Sequence, residues 1–453
     1  MKRFKRVMKK IGKGILVLII VLAVVHSIAS YILGRRLEAR IAEIKAQGDP
    51  VSTLDLGRNT VPDSENAAGI YLKIFDKMDS HITFKKGVPY WNQESQNPPW
   101  IRLLSQAKSK SPTTEVWKAT RESLADYDGI RPLVDKAISM PHCIFAANWE
   151  DADEVEFPHL GKMRSIARFY HASALVNAHY DDMDAAVGDT TRIFGIGKSV
   201  GNEPQMIGQL VRYAIIKIGS NCIRDLSRNG FSENQIALLG KSFSGISVYT
   251  EFPTVLKIER AFSIMQFRKL LSGQCIYPLC CPLPEGDLPI DLKIMAYLGR
   301  PFLYAGMMTY LDVMTGYIND AETQVPYREN RDSIIKEQNE LSNVAHWWLP
   351  PVPDFPLVRD KCEAGILSCR TMLNLVKYKH RFSAYPQSLD TLRSKLKVDV
   401  PVDPMSGKDF IYKRQGDGFL LYSIGANMRD DGGKSVASPN EAEPDDIVWS
   451  MTK

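Results

Sequence analysis

The sequence predicts a mainly α protein with three parts: an N-terminal transmembrane helix, an α-helical hairpin domain, and a small C-terminal α+β module with an antiparallel sheet. Three observations predict it. An apolar run of membrane-spanning length follows a basic N-terminus. Apolar residues at helical spacing fill the middle of the chain. The last seventy residues pass into short apolar runs broken by glycine, proline and clustered acids.

Seven Lys or Arg (Lys2, Arg3, Lys5, Arg6, Lys9, Lys10 and Lys13) occupy positions 1–13, the basic cytoplasmic tail. Removing them from a net charge of +5 leaves −2, so the basic balance belongs to a terminus and nucleic acid is not an expected partner. Residues 14–33 are apolar except for His26, Ser27 and Ser30. About 20 residues at 1.5 Å each cross a hydrocarbon core of roughly 30 Å. A cleaved signal peptide is the competing reading, with Ser27-Ile28-Ala29 as the cleavage site. The run continues through Tyr31-Ile32-Leu33 and meets Arg35-Arg36, which favours an anchor. The positive flank places the N-terminus in the cytoplasm. The expectation is a single-pass protein of a bacterial inner membrane, its bulk on the periplasmic side.

Residues 34–349 form the helical domain. Leu37, Ile41 and Ile44 continue the anchor as a short stalk. Acidic and cap-forming residues before Ala67-Ala68 mark a helix start. Residues 80–112 lose all pattern and read as a surface loop. A helix opens at Ser111-Pro112 and another runs over 133–140, stopped by Pro141. The clearest hairpin pairs 161–180 with 183–200, turning at Asp181-Asp182. A helix from Pro204 closes at Gly230, and Ser232-Glu233-Asn234-Gln235 is a capping box. Helical pattern then covers 253–271 and 292–319. The pairs resemble a tetratricopeptide solenoid in general layout, without a strict repeat. Four prolines within 350–356 make a linker. The module at 357–453 starts with a helix to about His380, followed by strands over 410–413, 419–423 and 447–450, with Gly416-Asp417-Gly418 as a hairpin turn.

Seven scattered cysteines do not form a dense disulfide framework. Cys362 and Cys369 share a helix face and read as core; Cys275 with Cys280 or Cys281 is the disulfide candidate. Gly195-Ile196-Gly197-Lys198-Ser199 is not a phosphate loop, because Arg192 stands where a glycine is required. His159, His171 and His179 lie near one another in sequence. They read as packing histidines, or as candidates in an exported hydrolase with a site between helices. Asn427, Asp430, Asp431, Asp445 and Asp446 are hard oxygen donors among glycines. They read either as a calcium site or as a solvated acidic turn.

The order of motifs in the module resembles the soluble part of the major pseudopilin of the type II secretion system. The chain carries Tyr378 at the helix end, Tyr385-Pro386, Leu389 and Leu392, Asp403-Pro404 and Tyr412. Tyr422-Ser423-Ile424-Gly425-Ala426-Asn427, Gly432-Gly433 and Asp446-Ile447-Val448-Trp449 complete the set. The resemblance implies a calcium-holding loop before the last strand, with Asn427 in place of the family's aspartate and Asp445 or Asp446 as the later acid. The anchor stands more than three hundred residues upstream, unlike the family's arrangement. The whole layout also resembles large membrane-anchored proteins of planctomycete-type bacteria. The expected role is structural or interactive, with a protein or cell-envelope partner and no catalytic activity assigned. An accessory component of a secretion-like apparatus is a further alternative.

Overall fold

The structure, a computed structural model, describes residues 2–52, 55, 61–80, 99–106, 112–145, 157–274, 290–329, 355–436 and 445–451. The basic tail and the apolar run form one helix, α1 (Lys2–Ala46), long and apolar enough to cross a membrane. It does not end in a free stalk. Leu37, Ile41 and Ile44 are buried against α12 (Arg300–Glu322), so the apolar spacing that marked a helix also marked a face another helix covers.

The middle of the chain folds as helices α2 (Ala68–Ser80), α3 (Pro99–Gln106), α4 (Thr114–Ala125), α5 (Arg131–Ile138), α6 (Pro158–His179), α7 (Met183–Ser199), α8 (Met206–Leu226), α9 (Glu233–Ser242), α10 (Phe252–Leu271) and α11 (Ile290–Leu298) before α12. Asn66 caps α2: its Oδ1 accepts from the Ala68 amide at 3.1 Å and the Ile144 amide at 2.9 Å, tying the helix start to the segment after α5. The centre of the body is the α6–α7–α8 group. Met163, Ile166, Ala167, Tyr170 and Ala174 of α6 are buried, as the 3.6-residue period requires. Asp181 takes the left-handed conformation at the turn (φ 65°), and the Asp182 side chain caps α7 through the Ala185 amide at 3.0 Å. Gly219 of α8 lets the helices approach closely: a Cβ there would lie 2.8 Å from the Phe194 ring. The capping box opens α9 as expected, with both reciprocal bonds formed.

Two expectations are corrected. Within the expected surface loop, residues 99–106 form α3, and Trp100 is 1 % exposed with its ring edge-on to Phe169 at 6.2 Å. A short helix next to prolines gives too few turns for a periodic signal, yet Trp100 and Leu103 are both buried and seat it on the body. The pattern over 292–319 is two helices, broken at Gly299. Pro301 stands in the first turn of α12, where its missing N–H costs little but would break a continuous helix.

The module begins with α13 (Phe355–Phe382), so the expected linker already turns helical at Phe355 and Pro356; 350–354 lie outside the described residues. After α14 (Leu389–Leu396) come β1 (Ile411–Gln415), β2 (Gly418–Ser423) and β3 (Ile447–Met451), antiparallel in the order β1-β2-β3. Gln415 pairs with Gly418 across the Gly416-Asp417 turn, and Leu421 pairs with Trp449. β2 is nearly all buried and touches α13, which packs along α8 and α9. One apolar core runs through the body and the module. Cys143, Cys222, Cys362 and Cys369 are free thiols, while Cys275, Cys280 and Cys281 lie outside the described residues.

Candidate functional site

The loop between β2 and β3 brings together all five candidate ligands, because they lie on one short excursion of the chain. Most of their oxygens are committed to that loop. Asn427 donates from Nδ2 to Asp431 Oδ2 at 2.9 Å, and its Oδ1 accepts from the Arg429 amide at 2.8 Å. Asp430 Oδ1 accepts from the Tyr422 hydroxyl and the Gly432 amide, both at 2.9 Å, and these donors hold its carboxyl below the usual range. Asp431 Oδ2 also accepts from the Asp445 amide at 3.1 Å. Asp445 Oδ2 accepts from the Ala426 amide at 2.7 Å, and its carboxylate lies so close to the Gly425 Cα that a side chain there would overlap it. Asp446 Oδ2 accepts from the Gly433 amide at 2.8 Å. Burial raises the Asp446 carboxyl, and its Oδ1 is enclosed without a hydrogen-bond partner among the described residues, as is Asp445 Oδ1. Among the described residues no group of three or more His, Cys, Asp or Glu is disposed to hold a metal ion. The described part of the loop is an internally bonded acidic turn in which two buried carboxylate oxygens have no partner among the described residues.

The other motif residues brace the same module. Asp403 is 1 % exposed and accepts from the Met405 and Ser406 amides and the Ser423 hydroxyl, at 3.0, 3.2 and 2.8 Å. The Tyr412 hydroxyl donates to the Pro386 carbonyl at 2.8 Å, and the Tyr385 ring meets Phe419 at 4.9 Å. Asp-Pro, Tyr-Pro and Tyr-Ser thus serve one turn and one sheet.

The three histidines do not converge. His159 bonds Glu203 Oε1 at 2.8 Å, buried, and stacks on Phe145 at 4.0 Å. His171 bonds Asp225 Oδ2 at 3.1 Å. His179 stacks on Trp117 at 4.3 Å. Each fills its own seam between helices.

The sequence did not indicate two buried charge clusters. Asp189 on α7, fully buried, accepts from Arg131 Nη1 at 2.6 Å, Arg192 Nη1 at 3.0 Å, Ser173 Oγ at 2.5 Å and Asn177 Nδ2 at 2.9 Å. Burial raises its carboxyl, and Arg131 opposes that shift. At the start of α13, Arg359 bonds Asp360 at 2.7 Å and the Val325 carbonyl at 2.9 Å, with its guanidinium 4.4 Å from the centre of the Tyr249 ring. Asp360 also accepts from the Tyr327 amide at 2.7 Å and the Tyr249 hydroxyl at 3.0 Å. Nearby, burial pushes the Glu363 carboxyl up to about 7. A dipeptide Arg-Asp gives no sequence signal for such a junction.

An open cleft of about 430 Å3 lies where α9, α13 and the 399–401 segment meet, lined by Phe243, Arg370, Asn374, Lys377 and Asp399 among others. Comparison with family models, with curated proteins and with solved structures finds no match.

Proposed function

We propose that this chain is an exported, membrane-anchored protein of structural or interaction type. In this reading α1 holds it in a bacterial inner membrane with the basic tail in the cytoplasm. The helical body and a pseudopilin-like module together present the cleft between α9 and α13 to a protein or cell-envelope partner. The observation that carries the reading is the contrast between concave and charged features. The cleft is open and bordered by Phe243, Arg370 and Lys377. The histidine–carboxylate pairs that a hydrolase would use are packed into helix seams instead. Arg370 and Lys377 are seven residues apart on α13, hence on one face, and suit an acidic or carbonyl-rich segment of the partner. The test is chemical crosslinking of the full chain in its native membranes. A discrete partner species is expected with the unaltered chain, and its recovery should fall roughly tenfold in R370E/K377E, the loss expected when central charges of an interface are reversed. Equal recovery from a variant with unchanged circular dichroism would sink the cleft as the docking site.

Calcium belongs to the same proposal as a stabiliser of the module. Asp445 Oδ1 and Asp446 Oδ1 are the buried oxygens that would gain a cation as partner, with Asp431 bonded to the Asp445 amide and Asn427 and Asp430 bracing the turn. Ligand at about a hundred times its Kd adds roughly 2.7 kcal/mol, so the detergent-solubilised chain should melt several degrees higher in calcium than in chelator. Coincident midpoints would remove the ion.

A further inference from the structure

The cover on α1 starts inside the apolar run. His26, Ala29, Ser30, Leu33 and Gly34 are partly covered, continuing at spacings of three and four residues into buried Leu37, Ile41 and Ile44. The covering elements are α11 and the start of α12. His26 Nε2 lies 3.1 Å from the Leu298 carbonyl, the last residue of α11, and its ring is 5.4 Å from that of Tyr297. The Gly34 Cα faces the Tyr304 ring, which a Cβ would meet at 3.3 Å. His26 stands seven residues before Leu33, the last apolar residue of the span. At 1.5 Å per residue the Leu298 carbonyl therefore sits about 10 Å below the end of the apolar run. Within hydrocarbon a histidine has no water to bond, so it needs a protein partner, and the free carbonyl at the end of α11 is one.

The outer face of these two helices is apolar. Ile290, Ile294, Met295, Leu298 and Phe302 are all exposed, Ile290 at 78 % and Phe302 at 76 %. The neighbouring cations turn away from that face. Arg300 donates to the Leu271 carbonyl at 3.3 Å and lies over the Tyr297 ring, and Lys293 runs along Gly273 at the end of α10. Asp291 is at the end of α11 remote from His26. A water-facing surface seldom carries such a patch, whereas an interfacial helix buries its apolar face about 5–10 Å into the bilayer.

We propose that α11 and the first turn of α12 are immersed in the membrane leaflet that the second half of the apolar run (24–33) crosses, with lipid acyl chains as the occupant of the exposed apolar face. The inference rests on the reading of α1 as a membrane span. The body is then seated in the bilayer beside its anchor, with a second, monotopic contact.

The test uses the full chain reconstituted into vesicles of phosphatidylcholine and phosphatidylglycerol. The photoreactive residue p-benzoylphenylalanine is placed singly at Ile294, at Phe302, at Leu22 of the span, and at Lys241 on α9 as a remote control. Positions 294 and 302 are exposed, so the substitution leaves the packing intact, and circular dichroism checks this. Lipid adducts at Ile294 and Phe302 should come within about threefold of the yield at Leu22 and exceed that at Lys241 by at least about tenfold, as an interfacial contact requires. Adducts at Leu22 with only the Lys241 level at Ile294 and Phe302 would overturn the immersion and leave the anchor standing. Absence of lipid adducts at Leu22 would overturn both. Crosslinks from Ile294 or Phe302 to a second copy of the chain in place of lipid would also overturn it.

Discussion

Asp189→Ala should destabilise the helical body by about 3–5 kcal/mol, the cost of stripping one partner from a buried ion network. The carboxylate is wholly enclosed and satisfies Arg131, Arg192, Ser173 and Asn177 at once. Alanine would leave two guanidinium groups facing each other beside the Tyr170 ring, with no anion between them. Denaturant unfolding of the detergent-solubilised chain measures the loss as a drop in midpoint. Asp189→Asn keeps the shape and one acceptor and should cost less. A loss under about 1 kcal/mol for the alanine variant would mean that water and the pairs Arg192 and Arg131 already make with Asp135 and Asp128 suffice for the arginines.

Asp360→Ala is expected to have an effect of the same size, about 3–5 kcal/mol, at the junction of α13 with the loop after α12. It strands Arg359, 1 % exposed, and removes the acceptor of the Tyr327 amide and the Tyr249 hydroxyl. Because α13 packs on α8 and α9, the loss should appear in the unfolding of body and module together. Two separate transitions in Asp360→Ala, with only the later one shifted, would show that the two parts unfold independently. The double variant R359M/D360L should recover only part of the loss: it removes the stranded guanidinium but leaves the Tyr327 amide and the Tyr249 hydroxyl without their acceptor.

What the sequence made legible was whatever depends on local spacing. The α6–α7 hairpin, the Ser232–Gln235 capping box, the Gly416-Asp417 turn and the three strands appear within a few residues of their expected places. Local spacing could not say what covers an apolar face. Leu37, Ile41 and Ile44 announced a helix but not α12 as its partner. Nor could it find α3, held by buried Trp100 and Leu103 against α4 and α6, or the break at Gly299, where the apolar pattern runs on from one helix to the next. The five loop ligands gather because they are close in the chain, but the directions of the Asp445, Asp430 and Asp446 carboxylates depend on amides at Ala426, Gly432 and Gly433. Asp189 and Asp360 were invisible because each also needs partners distant in the chain, Arg131 for the first and Tyr249 and Tyr327 for the second.

The unbroken course of α1 has a mechanical consequence. No break separates the apolar run from the part clasped by α12, so, with α1 spanning the bilayer as proposed, the helix and the body would move as one lever. A bilayer thinner than the apolar length would make the helix lean, and the body would rotate with it through the same angle. The orientation of the α9–α13 cleft over the membrane surface would then report the thickness of the lipid beneath it.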